Sequence, residues 1–283
     1  MNTFKMSAVL AMLASAAVIA GQAFAQDPKS ITIATDATYA PFEFKDAGGN
    51  LVGFDIDLAN DLCKRMEIKC AFMEQAWDGI IPSLVSGRFD AIVSSMDILP
   101  DREKVISFAG PYLETPYRFV TVSGSPLLDI KSKLESITLD EISAEEKSDL
   151  KELAGAFEGK KFGVVVNSTT EFFMRDAMPG VELATYDSAD QMILDLSSGR
   201  IDASISSFGF LKPLTDKPEG RDLKIFGPGL TGGAFGKGTG IGLRKDEDAL
   251  RASLNKAIGE ATADGTIRNL SMKWFGYDAS PKQ

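Results

Sequence analysis

The sequence predicts an α/β protein of two lobes, each a mixed, mainly parallel sheet flanked by helices, with two strands crossing between them. Three features carry that expectation. Short apolar strands alternate with amphipathic helices, an order that calls for crossover connections and parallel pairing. A weak internal echo, SLVSGRFDAIVSS at 83–95 and DLSSGRIDASISS at 195–207, repeats a helix ended by Gly-Arg and then a strand finishing in serines. Two proline-containing runs, GPYLETPYRFV at 110–120 and GPGLTGGAFGKGTG at 227–240, bracket the second block.

In the first block, residues 31–35 alternate as a strand and run into a turn around Tyr39. Residues 55–65 then carry apolar side chains at helical spacing. Residues 71–74 read as a second strand, 78–86 as a helix closed by Gly87, and 89–94 as a third strand. The second block repeats this: a strand at 162–166, helices at 169–175 and 189–198, and a strand at 201–206. Residues 249–274 form two amphipathic helices that return to the first lobe. The expected boundaries are 26–114 with 239–283 for the first lobe and 115–238 for the second. The acidic stretch 127–160, containing SAEEKSDLKEL, reads as a solvated helical insertion on the second lobe.

Residues 1–25 have Lys5, an apolar stretch at 8–20 and small residues at Ala23 and Ala25, the pattern of a secretory signal cleaved after Ala25. The apolar stretch is short for a membrane span, and a periplasmic destination follows. A net charge of −10 excludes nucleic acid as a partner and favours cationic solutes. The absence of His removes Ser–His triads and most zinc sites, so no metal or other cofactor is expected. Cys63 and Cys70, the only cysteines, lie in LCKRMEIKC. In an exported protein they read as a disulfide pinning a helix end to the next strand; two free buried thiols are the alternative.

The segment SSMDILPDR at 94–102 follows an apolar strand and leads into a helix start at Pro100, the position at which open α/β sheets bind ligands. Arg102 can pair bidentately with a carboxylate, while Ser94, Ser95 and Asp97 can accept from an ammonium group. An ordinary surface ion pair of Arg102 with Asp101 or Glu103 is the competing reading. NSTTE at 167–171 looks like a capped helix start whose free amides attract anions; plain capping by Ser168 accounts for it equally.

Five segments, ATDATYAPFEF at 34–44, GFDIDLANDLCKRM at 53–66, WDGIIPSLVSGRFDAIVSSM at 77–96, GVVVNSTTEFF at 163–173 and GTGIGLRKDEDAL at 238–250, resemble the family 3 periplasmic solute-binding proteins of polar amino-acid ABC importers. The likeness is greatest to the lysine/arginine/ornithine-, histidine- and opine-binding members. It implies a type II periplasmic-binding-protein fold with a two-strand hinge. It further implies a monomer that captures an amino acid or derivative and hands it to a membrane permease. The site it implies comprises Asp36, Tyr39, Trp77, Ser94, Ser95, Met96, Asp97, Arg102, Val165, Ser168, Thr169, Thr170 and Ser207. Arg102 would clamp the α-carboxylate, helped by backbone N–H groups near Asp97 and Thr169. Tyr39 and Trp77 would sandwich the side chain, and Asp36 would receive a distal cation. Thr170 and Glu171 could reshape the far end of the pocket.

Two positions depart from the family. Ser207 stands where relatives carry the aspartate for the α-ammonium group, and Asp97 stands where they carry Ser or Thr. Either the acidic anchor has moved across the cleft to Asp97, or the ligand's α-amino group is substituted, as in opines, or absent. The alternatives in other classes are a cyclohexadienyl or arogenate dehydratase on the same fold, with Asp97 as its acid, and a ligand-sensing module for a separate receptor.

Overall fold

The structure is a computed structural model that describes residues 30–282; the leader and the expected cleavage after Ala25 lie outside the described residues. Strand β1 (Ser30–Thr35) is followed by a small antiparallel sheet of β2 (Thr38–Tyr39), β3 (Glu43–Lys45) and β4 (Leu51–Val52). Next come α1 (Phe54–Arg65), β5 (Lys69–Glu74), α2 (Ile80–Val85), β6 (Ala91–Ile92) and α3 (Pro100–Val105). The helix expected at 78–86 opens as a 3-10 turn, Trp77–Gly79, before α2. Pro82 is tolerated in the first turn of α2 because an N–H there would have no helical partner.

The chain leaves the first sheet along β7 (Ser107–Leu113) and enters the second as β8 (Tyr117–Val122). The second lobe continues through β9 (Ser136–Thr138), α4 (Ala144–Ala156), β10 (Lys161–Val165), α5 (Thr169–Ala177) and β11 (Glu182–Tyr186). It ends with α6 (Ala189–Ser197), β12 (Ala203–Ser207) and α7 (Phe208–Asp216). The return runs along β13 (Leu223–Thr231) and β14 (Thr239–Leu243), and α8 (Asp248–Ala263) and α9 (Thr266–Phe275) pack on α1.

The two sheets have the orders β5-β1-β6-β14-β7 and β11-β10-β12-β8-β13-β9. In each, the leading strand lies parallel between two others: β1 between β5 and β6, β10 between β11 and β12. The sequence echo therefore maps onto β6 and β12, the same station in each lobe. One apolar cluster runs from α1, α8 and α9 of the first lobe to α6 and α7 of the second. Separate clusters fill the other face of each sheet.

The insertion at 127–160 does more than the solvated helix expected of it. β9 pairs parallel with β13, Ile137 facing Leu230, and so extends the second sheet by an edge strand. α4 is closed by a Ser143–Glu146 capping box and leads to Phe157, whose ring lies 5.0 Å from both Phe119 and Phe162. A single buried Ile between two polar residues is too short a pattern to announce a strand.

Cys63 and Cys70 are bonded, tying the end of α1 to β5. Closing so short a loop is worth about 2.5 kcal/mol. The double substitution Cys63→Ser, Cys70→Ser is expected to lower the unfolding free energy by about that amount in urea titrations, and reduction of the wild type should reproduce it.

Candidate ligand-binding site

The carboxyl ends of β1, β6 and β10 converge on a cavity between the lobes that encloses about 620 Å3, open solvent included. Each of these ends bends through a non-glycine residue in the left-handed region: Ala37 at φ 62, Ser95 at φ 47 and Asn167 at φ 55. Backbone strain of this kind gathers where a chain is turned to present groups to a ligand.

On the first lobe, Ser94 joins two acids. Its hydroxyl accepts the Asp36 N–H at 2.9 Å and donates to Glu43 Oε1 at 2.9 Å. Asp36 also accepts from the Trp77 N–H at 3.1 Å and from the Thr38 hydroxyl. Burial raises its pKa, these two bonds oppose the rise, and Asp190 of the second lobe adds to it. Behind Glu43 lies Asp55 at the start of α1, which accepts from Ser95 N–H at 2.6 Å and Tyr112 O–H at 2.9 Å. Burial pushes Asp55 up to about 7 and lifts Glu43 well above the usual carboxylate range, the neighbouring Asp55 charge adding to the effect.

Asp97 faces the second lobe. Its Oδ2 accepts from Tyr117 O–H and Thr169 Oγ1–H, each at 2.5 Å. Burial raises its pKa, against the pull of Arg102 and those two hydroxyls. Its backbone is fixed by a bridge to Thr239 and by the bonds Gly240 N–H to Met96 O and Ile98 N–H to Gly238 O.

Of the residues expected in the site, Asp36, Tyr39, Trp77, Ser94, Ser95, Asp97, Val165, Ser168, Thr169 and Thr170 line the cavity; Met96, Arg102 and Ser207 do not. Met96 is fully buried in the apolar layer with Ile80 and Phe89. Ser207 caps α7 through the Phe210 N–H at 3.3 Å. Arg102 donates to Asp97 O at 3.0 Å and, across the cleft, to Asn167 O at 3.3 Å, with its guanidinium 5.2 Å from the centre of the Trp77 ring. The guanidinium thus spans the lobes beside the cavity and covers one side of Trp77.

Tyr39 lines the cavity without offering a face to it. Its ring stacks on Phe42 at 5.1 Å and on Phe210 at 4.7 Å, both at 10°. Its hydroxyl meets Ser206 at 2.8 Å and Ser207 at 3.1 Å. The edge and hydroxyl, and not the sandwiching ring face expected from sequence, are what a ligand would meet. Glu171 also differs: it turns back onto the Asn167 N–H at 2.6 Å and Arg175 at 2.7 Å, closing the start of α5. Ser168 caps the same helix through the Glu171 N–H.

Sequence reasoning passed over Glu43, Tyr117 and Ser206, all in the lining. A glutamate between two phenylalanines in PFEF is the one signal that could have been read, and the structure leaves it 1% exposed.

Residues 31–277 match the bacterial extracellular solute-binding proteins, family 3. The chain belongs to that family. It is 36% identical to the octopine-binding periplasmic protein of Rhizobium meliloti over 95% of this chain and 98% of that one. It is 40% identical to the histidine-binding periplasmic protein of Escherichia coli K12, over 90% and 91%. A solved structure of an arginine-specific periplasmic binding protein from Salmonella typhimurium superposes with a TM-score of 0.72 at 31% identity, covering 88% of this chain and all of that one. These relatives are named as binding proteins, so a family 3 solute-binding role accounts for the cavity without catalysis. The architecture is the two-lobe type II fold of that family.

Proposed function

We propose that this protein is the periplasmic binding component of an ABC importer and that it captures an amino acid with a cationic side chain, or a derivative that keeps that side chain, as an arginine-derived opine does. The observation that carries the ligand class is the lining itself: among the described residues Asp36, Glu43 and Asp97 contribute to it, and no Lys or Arg does. Cations are drawn to such a wall by the carboxylates of Asp36 and Asp97, and anions are repelled. Asp36, beside Trp77, suits the distal cation. Asp97 suits the α-ammonium group. The start of α5, at Thr169 and Thr170, leaves amides for a carboxylate, with Arg102 adjoining. The names of the relatives, octopine, histidine and arginine binders, run in the same direction.

The expected lobes, 26–114 with 239–283 and 115–238, fit a hinge at the two crossings, with closure read by a membrane permease. A monomer suffices for that role. A prephenate dehydratase would have to draw an anionic substrate into this acidic cavity.

Thermal unfolding with L-arginine, L-lysine, L-ornithine, L-histidine, octopine and L-glutamate tests the reading. At 100 times its dissociation constant a ligand stabilises by about 2.7 kcal/mol. At least one of the first five, each with a cationic or protonatable side chain, should produce that shift and L-glutamate none. A shift with L-glutamate, or with none of the six, would overturn it.

A further inference from the structure

We propose that Glu43 is a second counterion for the ligand's cationic group, neutral before binding and releasing its proton to solvent as the ligand is captured. This rests on the reading of the ligand as a cation.

Glu43 is 1% exposed, yet it lines the cavity. Ser94 serves its Oε1, whereas Oε2 is buried and receives no hydrogen bond from the protein. A charged carboxylate with an unserved buried oxygen is costly. A carboxylic acid there is not, because the protonated carboxyl becomes a donor with the Asp55 carboxylate beside it as an acceptor. Asp55 keeps the charge of the pair, since Ser95 N–H and Tyr112 O–H already donate to it.

The ionisable groups that act most strongly on Glu43 are acidic: Asp36 at the end of β1 and Asp55 on α1, with the phenols of Tyr39 on β2 and Tyr112 on β7 nearby. Burial and these neighbours together favour the neutral form, and the Ser94 bond alone opposes them. A cation in the cavity supplies the missing positive charge. The balance is simple: the neutral acid and the cationic ligand become a carboxylate–cation pair, and one proton passes to the buffer. Ser94 couples the two acids, because its single hydroxyl holds the backbone of Asp36 and the carboxyl of Glu43.

Calorimetric titration with L-arginine at pH 7 in phosphate and in Tris, whose ionisation enthalpies differ, counts the proton. The expected result is a buffer-dependent heat corresponding to release of up to one proton, with affinity rising by up to tenfold per pH unit. Glu43→Gln should bind L-arginine at least tenfold more weakly and lose the buffer dependence. Glu43→Asp should retain it. Equal heats in the two buffers for wild type, or unaltered proton release in Glu43→Gln, would overturn the proposal. Failure of wild type to bind any of L-arginine, L-lysine, L-ornithine, L-histidine and octopine would instead overturn the reading of the ligand beneath it.

Discussion

Replacing Asp97 by Asn is expected to weaken binding of L-arginine by about 3 kcal/mol, roughly a 150-fold rise in Kd. The carboxylate is buried, faces the ligand cavity, and takes hydroxyl donors from two other places at once: Tyr117 on the crossing strand β8 and Thr169 at the start of α5. An asparagine of the same shape keeps an oxygen for both hydroxyls, which share Oδ2, but loses the charge that an α-ammonium group would seek. The fold should be spared, because the local backbone is held by main-chain bonds to residues 238–240. Titration calorimetry with an unchanged melting temperature as control would show this. A change below threefold would mean that the missing acid at Ser207 has no replacement at position 97.

Gly53→Ala is expected to cost at least about 4 kcal/mol of stability, the range reserved for a named steric or strain mechanism. Gly53 has φ 135, a conformation that side-chain-bearing residues rarely adopt. An added Cβ would lie 2.2 Å from Phe42 O and 2.9 Å from Pro41 O. These carbonyls accept the first N–H groups of α1, Asp55 to Phe42 O and Phe54 to Pro41 O, so moving them aside unseats the helix start. Because Asp55 backs Glu43, the damage reaches the cavity. Gly49→Ala is the control: its φ is 82 but no atom stands within 4 Å of the added Cβ, so about 1 kcal/mol is expected. Urea midpoints for the two variants should differ accordingly, and similar midpoints would show that the backbone at 41–54 yields easily.

Much of the scaffold was legible because its signals are local. The periodicity at 55–65, the Gly-Arg helix ends and the repeated serine-ended strands each encode one element by spacing alone, and the alternation of elements encodes parallel pairing. β9 escaped because three residues carry no period, and its pairing with β13 is a long-range event.

The site divides in the same way. Which loops meet follows from strand order, so the segments at 36–39, 94–97 and 165–170 could be named from sequence. The chain by itself determined the family, the two-lobe plan and the acidic character of the molecule. Only the folded structure decided which atoms face the cavity. It set Arg102 on two carbonyls beside the cleft, closed both faces of Tyr39 with Phe42 and Phe210, and brought Glu43 into the lining beside Asp55. The physical reason is that side-chain direction and protonation depend on neighbours distant in sequence. Residue type fixes what a group can bond, while packing fixes which bond it makes and whether burial lets it keep its charge.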